Sequence, residues 1–480
     1  MRKKFIINII ILIGLNLLIK PFWIFGIDRT VQNTVDAQTF GMYFTLFNFT
    51  FLFNILLDMG ITNFNNRSVA RQSDFLKESF SRILSLKVLL FVFYVVLMLL
   101  IGIVIGYNRM QIEMLIPLLF NQFLAGLILY LRSNISGLLM FKTDSFLSVI
   151  DRVIMIVFCS ILLWGNVTNQ PFQITWFIYI QTFSYLLTAL LALSVVIRKL
   201  AFVKPLFDFP FFKTIFKQSL PFAILHLFTS FHNRIDAVLM ERILPPQIGA
   251  EQVGVYASAF RLLDAGIIIA YLMSVICMPL FSNMIANKQK VNEIVRTSFI
   301  LLFIYGATIA IASFFYSHEL MDLLYVNHIG ASPDVYKILM LSIFPLVLTY
   351  VFGSLLTANG NLKQLNIIAI SAVCINVTLN LILIPIHGAK GSAIASLVTH
   401  SFIISLEVYL AIKIFEFKIE TMFVVKLLIF VMGVIACNVI SKYIPFDWKF
   451  NFIAMLVGTL LFVFISRLIK ISEVMALFKQ

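Results

Sequence analysis

The sequence predicts an all-α membrane protein that crosses the bilayer about 14 times. Of its 480 residues, 61% are hydrophobic and only 12% are charged. Apolar stretches of about 20 residues, the length of a membrane-spanning helix, recur from one end of the chain to the other. These stretches do not alternate between apolar and polar residues, so they indicate helices and not the strands of a barrel.

The individual spans follow from these apolar stretches. The first has the basic start of a signal peptide but lacks a small-residue cleavage site, so we expect it to remain as a span. The predicted spans lie near residues 5–25, 40–62, 84–107, 112–137, 146–165, 172–197, 217–242, 253–281, 296–316, 336–358, 365–386, 391–412, 421–441 and 449–468.

Basic residues predict the orientation of the spans. With the N-terminus inside, roughly 22 Lys and Arg residues fall on the cytoplasmic side and roughly 7 outside, as the positive-inside rule requires. We therefore expect both termini to be cytoplasmic. The formal net charge of +14 is explained by these loops, so we expect no nucleic-acid partner. The cytoplasmic set is Arg2, Lys3, Lys4, Arg67, Arg71, Lys77, Arg82, Lys142, Arg198, Lys199, Lys204, Lys213, Lys217, Lys288, Lys290, Arg296, Lys363, Lys413, Lys418, Arg467, Lys470 and Lys479.

Two pairs of short matches indicate an internal repeat. "FGMY" (40–43) matches "VGVY" (253–256), and "GLLMFKTDSF" (137–146) matches "SLLTANGNLK" (354–363), at offsets of 213 and 217 residues. Two sets of six spans in the same orientation imply a parallel repeat about an axis along the membrane normal. We predict an N-lobe (1–200), a cytoplasmic linker (201–216), a C-lobe (217–414) and two appended spans (415–480).

Motifs for catalysis or metal binding are missing from the sequence. The four cysteines, Cys159, Cys277, Cys374 and Cys437, are scattered singly through apolar segments, which is typical of inert thiols. No nucleophile–base set, metal-ligand spacing or ATP-binding motif occurs. We therefore expect a protein that is not an enzyme and that has no catalytic residues, no metal and no cofactor.

Ionisable residues within the seventh and eighth spans are the strongest candidates for a functional site. Arg234 and Arg261 each have an acid close by, Asp236 and Asp264 respectively. Charged groups that face lipid are costly, so these should face protein or a wet cavity. A projection of residues 226–239 at about 100° per residue places one set of polar side chains on a continuous arc of about 200°. This set is His226, Thr229, Ser230, His232, Asn233, Arg234 and Asp236.

So wide a polar face favours a helix that lines an aqueous cavity. Lys20 and Asn16 of the first span lie at a similar height and add a further cation and an amide. Two interpretations stay open. The arginines bind an anion while the acids hold them in position, or the charges form ion pairs that fasten helices without contacting a substrate.

Other ionisable groups in the spans are weaker candidates. Four lie near span ends and are expected to extend to the membrane surface: Lys87, Arg132, Arg152 and Lys426. We expect Asp58 to face Arg67 or water. His400 and Glu407 share a face of the twelfth span, where they relay protons or are simply hydrogen-bonded.

Two stretches resemble a known family. "FGMYFTLFNFTFLFNILLDMGITNFNNRSVAR" (40–71) and "NRIDAVLMERILPPQIGAEQVGVYASAFRLLDA" (233–265) resemble the bacterial polysaccharide flippases of the multidrug/oligosaccharidyl-lipid/polysaccharide exporter superfamily. The specific elements are Gly41 and Tyr43 followed by "DMG" (58–60) and Arg67, and Gly254 and Tyr256 followed by Arg261 and Asp264. The resemblance extends over essentially the whole chain.

The resemblance implies an architecture and an activity. It implies two six-helix lobes that form a V around a central cavity, plus two C-terminal helices, in the bacterial cytoplasmic (inner) membrane. It also implies that a polyprenyl-diphosphate-linked oligosaccharide moves from the inner to the outer leaflet by alternating access, for capsule, exopolysaccharide or the O-antigen of lipopolysaccharide. Arginine suits a diphosphate because its planar donors bind two oxygens at once. On this basis the expected substrate residues are Arg234, Arg261, Lys20, His226, Asn233, Ser230 and Asn16, with Asp236, Asp264 and His232 as charge partners or coupling groups.

Several alternatives stay open within the superfamily. They are a lipid II flippase for peptidoglycan, a multidrug or cation antiporter, and a non-transporting scaffold in a glycan-assembly complex. The first span offers Lys20 and no acid, which argues against an antiporter. Coupling to a proton or sodium gradient is left open. The expected partners are the lipid-linked substrate, membrane lipids, and a glycan polymerase and glycosyltransferases.

Overall fold

The computed structural model describes residues 14–16, 18–62, 65–66, 69, 72, 75–138, 140–165, 167–198, 206–326, 332–418, 420–466 and 468. Regular structure in these residues is helical throughout, with no strand among them, which confirms the all-α prediction. Ten of the basic residues used to predict orientation lie outside the described residues: Arg2, Lys3, Lys4, Arg67, Arg71, Lys199, Lys204, Arg467, Lys470 and Lys479.

The chain forms two compact units that divide between Gly254 and Val255. The first unit contains a π-helix (Trp23–Asp28) and a 3-10 helix (Asn54–Leu57). Its α-helices are α1 (Arg29–Thr34), α2 (Ala37–Leu52), α3 (Phe75–Val104), α4 (Arg109–Gly137), α5 (Phe141–Leu147), α6 (Ile150–Trp164), α7 (Ile174–Ile197) and α8 (Phe209–Ile243). The next helix, α9 (Pro246–Ala286), begins in this unit and continues past its boundary.

The second unit contains the remaining helices. These are α10 (Asn292–Phe315), α11 (Ser317–Leu324), α12 (Ser332–Leu341), α13 (Ile343–Ala358), α14 (Leu362–His387), α15 (Ala389–Phe415), α16 (Thr421–Tyr443) and α17 (Trp448–Ile465). Helix α15 packs against α12, α13 and α14, while α16 packs against α17 and α10. The division into lobes at residues 200, 216 and 414 stays a prediction, because the two compact units are defined by packing and not by the repeat.

Helical residues occur in every predicted span. In the described part of the chain, 11 helices are long and apolar enough to cross a membrane. Helix α8 is not among them, in keeping with the polar face predicted for the seventh span. A short turn between α13 and α14 contains Gly360 at a φ of +82°.

The ends of several helices differ from the predicted ones. Helix α8 begins at Phe209, within the predicted linker, because the Asp208 carboxylate accepts a hydrogen bond from the Phe211 amide and caps its first turn. It continues to Ile243, so the charged residues at 241–242 are part of the helix. Helix α9 then starts at Pro246, because proline is favoured in the first turn of a helix.

Some predicted spans are interrupted. The second changes from α2 to the 3-10 helix at Phe53 and then turns through Met59 and Gly60, with φ angles of +45° and +80°. The tenth is divided into α12 and α13 at Ser342. Hydropathy misses such breaks because it records whether side chains are apolar, not whether the backbone hydrogen bonds continue.

Helices α2 and α9 cross in very close contact at two glycines. A Cβ atom added at Gly41 would lie 1.8 Å from the Ala250 carbonyl oxygen, and one added at Gly254 would lie 2.2 Å from the Ala37 carbonyl oxygen. Only glycine allows the two backbones to approach this closely.

This crossing is symmetric with respect to the predicted repeat. Gly41 and Gly254 are 213 residues apart, and so are their contact residues, Ala37 and Ala250. Each of the two helices therefore presents the same pair of repeat positions to the other. The repeat itself stays a prediction.

Candidate functional site

The polar face of α8 lies against α2 within the first unit. The Arg234 guanidinium donates a hydrogen bond of 3.3 Å to the side-chain oxygen of Asn48, and it lies 5.4 Å from the centroid of the Phe51 ring. Asn48 is itself fixed, because its amide nitrogen donates to the Phe44 carbonyl at 2.7 Å. Phe53 packs edge-on against Phe231 of α8 at 5.1 Å. Arg234 is thus half-buried and held at a defined position by an amide and an aromatic ring.

The other predicted residues of α8 occupy different environments on that helix. His226 is exposed and lies 3.0 Å from the Ser230 hydroxyl, one turn further on. Asn233 is half-buried, whereas His232 and Asp236 are buried. The polar arc therefore contains both accessible and enclosed side chains.

Lys20 and Asn16 lie on the first span, also in the first unit. Asn16 is buried and its amide nitrogen donates to the Ser148 hydroxyl at 3.3 Å. Lys20 is half-buried and lies within the electrostatic influence of Arg152, Asp151 and Arg132. The structure thus associates these two residues with the α5–α6 region.

Arg261 and Asp264 lie on α9 in the second unit, and both are half-buried. Their spacing of three residues places them on one face of the helix. The roles assigned to all ten candidate residues, as substrate ligands or charge partners, stay predictions.

Sequence reasoning missed a polar cluster at the end of α8, formed by Glu241, Arg242, Gln111 and Tyr107. The Gln111 side-chain amide donates to the Glu241 carboxylate, which also pairs with Arg242 at 3.0 Å. The Arg242 guanidinium lies 4.7 Å from the Tyr107 ring centroid and donates to the Ile105 carbonyl at 3.2 Å. This cluster fastens the end of α8 to the loop between α3 and α4.

Part of this cluster had a signal in the sequence. The N-x-x-Q pattern at Asn108 and Gln111 predicts a capping box, and both of its hydrogen bonds are present at the start of α4. The contact with Glu241 had no such signal, since the two residues are 130 positions apart.

Two basic residues that were expected to extend to the membrane surface form ion pairs within the first unit. Lys87 is only 1% exposed and its ammonium lies 2.8 Å from the Asp58 carboxylate, so the expectation for Lys87 was wrong. Arg132 forms a 2.7 Å ion pair with Asp144 and is 20% exposed, so its extension to the surface stays a prediction. Asp58 thus pairs with Lys87, while Arg67 lies outside the described residues.

Comparison with known proteins identifies the family. A model described as "Polysaccharide biosynthesis protein" matches residues 6–285, more than half of the chain, and a model named MatE matches residues 221–382. The chain belongs to the polysaccharide biosynthesis protein family. This match confirms the resemblance seen in the sequence.

The curated relatives are more distant. The "Lipid III flippase" of Escherichia coli (strain K12) is 26% identical over 211 residues, which are 43% of this chain and 49% of that protein. The protein of the same name from Shigella flexneri matches with the same values. The chain therefore spans about half the length of the curated relatives that it matches.

Solved structures show the fold. "Lipid II flippase MurJ, inward closed conformation" has a TM-score of 0.68 at 14% identity and covers 95% of this chain and 98% of that one. An inward-facing multidrug resistance MATE family transporter of the MOP superfamily has a TM-score of 0.61 at 16% identity. The match covers 84% of this chain and 94% of that one. The chain thus has the polytopic α-helical fold of this superfamily, as the sequence predicted.

Proposed function

We propose that this protein moves a polyprenyl-diphosphate-linked oligosaccharide from the inner to the outer leaflet of the bacterial cytoplasmic membrane by alternating access. The glycan would be destined for a surface polysaccharide such as capsule, O-antigen or exopolysaccharide. The single observation that carries the proposal is Arg234. A guanidinium within the seventh span, held by Asn48 and the Phe51 ring, is an ordered donor for an anion such as a diphosphate.

The rest of the proposed site provides complementary chemistry. Lys20 would supply further positive charge in the first unit, and the neutral polar groups Asn16, Ser230 and Asn233 suit sugar hydroxyls. Arg261 would be a substrate ligand provided by the second unit. The polyprenyl tail would stay in the lipid. A proton or sodium gradient would drive the cycle without a cofactor, and a glycan polymerase and glycosyltransferases would be the neighbouring enzymes.

The test removes the cation from the proposed site. Arg234→Ala is expected to reduce surface glycan about tenfold or more in cells that lack the native gene, because a hydrogen bond to a charged group contributes about 1.5–3 kcal/mol. Arg234→Lys should retain part of the activity, since it keeps the charge but loses the bidentate geometry. Surface glycan is measured together with the amount of protein in the membrane.

Arg109→Ala is the matched control, because the Arg109 side chain is 93% exposed and pairs only with its helix neighbour Glu113 among the contacts described. Its surface glycan should equal that of the wild type. Normal glycan export by Arg234→Ala and Arg261→Ala at normal protein levels would contradict the proposal.

Simple phenotypes distinguish the proposed substrate from the other substrates that proteins of this fold transport. Loss of a lipid II flippase stops peptidoglycan synthesis and is lethal, whereas loss of a capsule or O-antigen flippase is survivable. Efflux of cationic dyes from a drug-sensitive host would indicate an antiporter. We expect a viable deletion strain with altered surface glycan and no dye efflux.

A further inference from the structure

A buried carboxyl group in the second unit is not used by the proposed site. Glu407 lies on α15 and is only 4% exposed. Beside it, Ile403, Leu406 and Leu410 of the same helix belong to an apolar cluster with Ile368 of α14. Glu407 is followed by eight more residues of α15, which places it about 12 Å inside the helix end.

The groups that touch this carboxyl are few and neutral. On α13, the Thr349 hydroxyl hydrogen-bonds the carboxyl, and Gly353 packs against it so closely that a Cβ atom there would lie 3.1 Å from Oε1. Oε2 has no hydrogen-bond partner within the described part of the chain.

Other titratable and charged side chains lie on the same helices. Among the described residues, no ion pair or hydrogen bond joins Glu407 to any of them. Those on α15 and the three helices packed against it are Asp334, Tyr336 and Lys337 on α12, Tyr350 on α13, Lys363, Cys374 and His387 on α14, and Lys390, His400, Tyr409 and Lys413 on α15.

An ionised carboxylate in such a place would be an uncompensated charge, whereas a protonated carboxyl group would carry no charge. A carboxylic acid that merely fills space could equally be a glutamine or a leucine. An acid that must lose its proton elsewhere in a transport cycle could not, because only the acid can exist in two charge states.

We propose that Glu407 is the proton-binding site that couples transport to the proton gradient. The carboxylate takes one proton from water on one side of the membrane when the second unit opens, and it releases that proton to water on the other side later in the cycle. No other bond is made or broken. This assignment rests on the proposed function, because it supplies the driving ion for that transport.

The first test detects the proton on Glu407 directly and does not require transport. Infrared spectra of the full-length protein in lipid vesicles should contain the carbonyl band of a protonated carboxyl group at neutral pH. Glu407→Gln should remove this band, whereas the exposed control Glu113→Gln should keep it. Gly353→Ala, which places a methyl group against Oε1, should shift the band without removing it. A wild-type spectrum without the band, or one unchanged by Glu407→Gln, would overturn the assignment.

The second test separates coupling from a structural role. Glutamine preserves the size and hydrogen bonding of the protonated acid, so a structural role predicts normal transport by Glu407→Gln. Coupling predicts that wild-type transport changes by up to about tenfold per pH unit and stops with an uncoupler, whereas the variant is slow and insensitive to both. Wild-type transport with an indistinguishable Glu407→Gln variant would refute the coupling role alone. Failure of the wild type itself to transport the glycan would refute the proposed function and, with it, this role.

Discussion

At the scale of single residues, Lys87 shows how a charge is accommodated inside this protein. Its ammonium pairs with Asp58, donates to the Leu57 carbonyl at 3.2 Å and lies 5.5 Å from the Tyr130 ring centroid. Asp58 also accepts a hydrogen bond from the Thr62 hydroxyl. Each charge is therefore stabilised by several groups, which a buried ion pair needs if it is to offset its desolvation.

Removing one member of this pair should be more harmful than removing both. We expect Lys87→Met and Asp58→Asn each to cost about 3–5 kcal/mol of stability, because each leaves an uncompensated buried charge or acceptor. The double variant should cost less than the sum of the two single variants. Thermal unfolding of the detergent-purified proteins, analysed as a double-mutant cycle, measures this coupling.

The exposed pair Arg109–Glu113, at 2.8 Å, is the control for that cycle. Its coupling should be only about 0.3–0.5 kcal/mol, as for surface pairs one helical turn apart. Additive effects of the Lys87 and Asp58 substitutions would mean that the buried pair is not a stabilising unit.

Sequence reasoning at this scale identified which residues are unusual but not what they contact. The polar arc of α8 followed from the helical period, because one period sets the direction of every side chain on a helix. The contact of Arg234 with Asn48 joins residues 186 positions apart, and that of Lys87 with Asp58 depends on the 3-10 turn after α2. Neither contact can be predicted from the local sequence pattern.

At the scale of helices, the crossing of α2 and α9 should tolerate no side chain. We expect Gly41→Ala and Gly254→Ala to destabilise the protein by about 1–3 kcal/mol each, because the helices must separate to admit a methyl group against a carbonyl oxygen. Both substitutions should also lower transport, and their effects on thermal unfolding should be similar because the contact is symmetric.

Gly126 of α4 is the matched control, since a Cβ atom there would make an ordinary contact of 3.9 Å with Leu57. Gly126→Ala should be neutral or slightly stabilising, because alanine has the higher helix propensity. Wild-type melting temperatures for the Gly41 and Gly254 variants would show that the close approach is not required.

The sequence predicted the number and order of the helices better than their ends. Apolar length determines whether a segment can cross a membrane, so each predicted span contains helix. The ends depend on local hydrogen bonds, such as the Asp208 cap of α8, and the breaks at Phe53 and Ser342 occur within apolar stretches. Predicting these ends and breaks requires the backbone conformation, which hydropathy does not provide.

At the scale of the whole molecule, the two sequence matches that predict the repeat differ in strength. "FGMY" and "VGVY" are short, yet their glycines meet each other's helices at equivalent positions. The second match pairs Gly137, the last residue of α4, with Ser354, which lies four residues before the end of α13. Backbone contact restricts the residue type at Gly41 and Gly254, which explains why glycine occurs at both positions of the predicted repeat.

Orientation in the membrane is the remaining whole-molecule prediction. Positively charged loops stay in the cytoplasm during insertion, so the 286–291 turn, with Lys288 and Lys290, should be inside and the 165–173 loop outside. We expect a membrane-impermeant maleimide to label Thr168→Cys in intact cells, but to label Gln289→Cys only after permeabilisation. The four native cysteines are first replaced by serine or alanine. Both sites are exposed, so equal labelling in detergent is the control. The reverse labelling pattern would show that the protein has the opposite orientation in the membrane. The proposed direction of transport would then be wrong, because it depends on which end of each helix faces the cytoplasm.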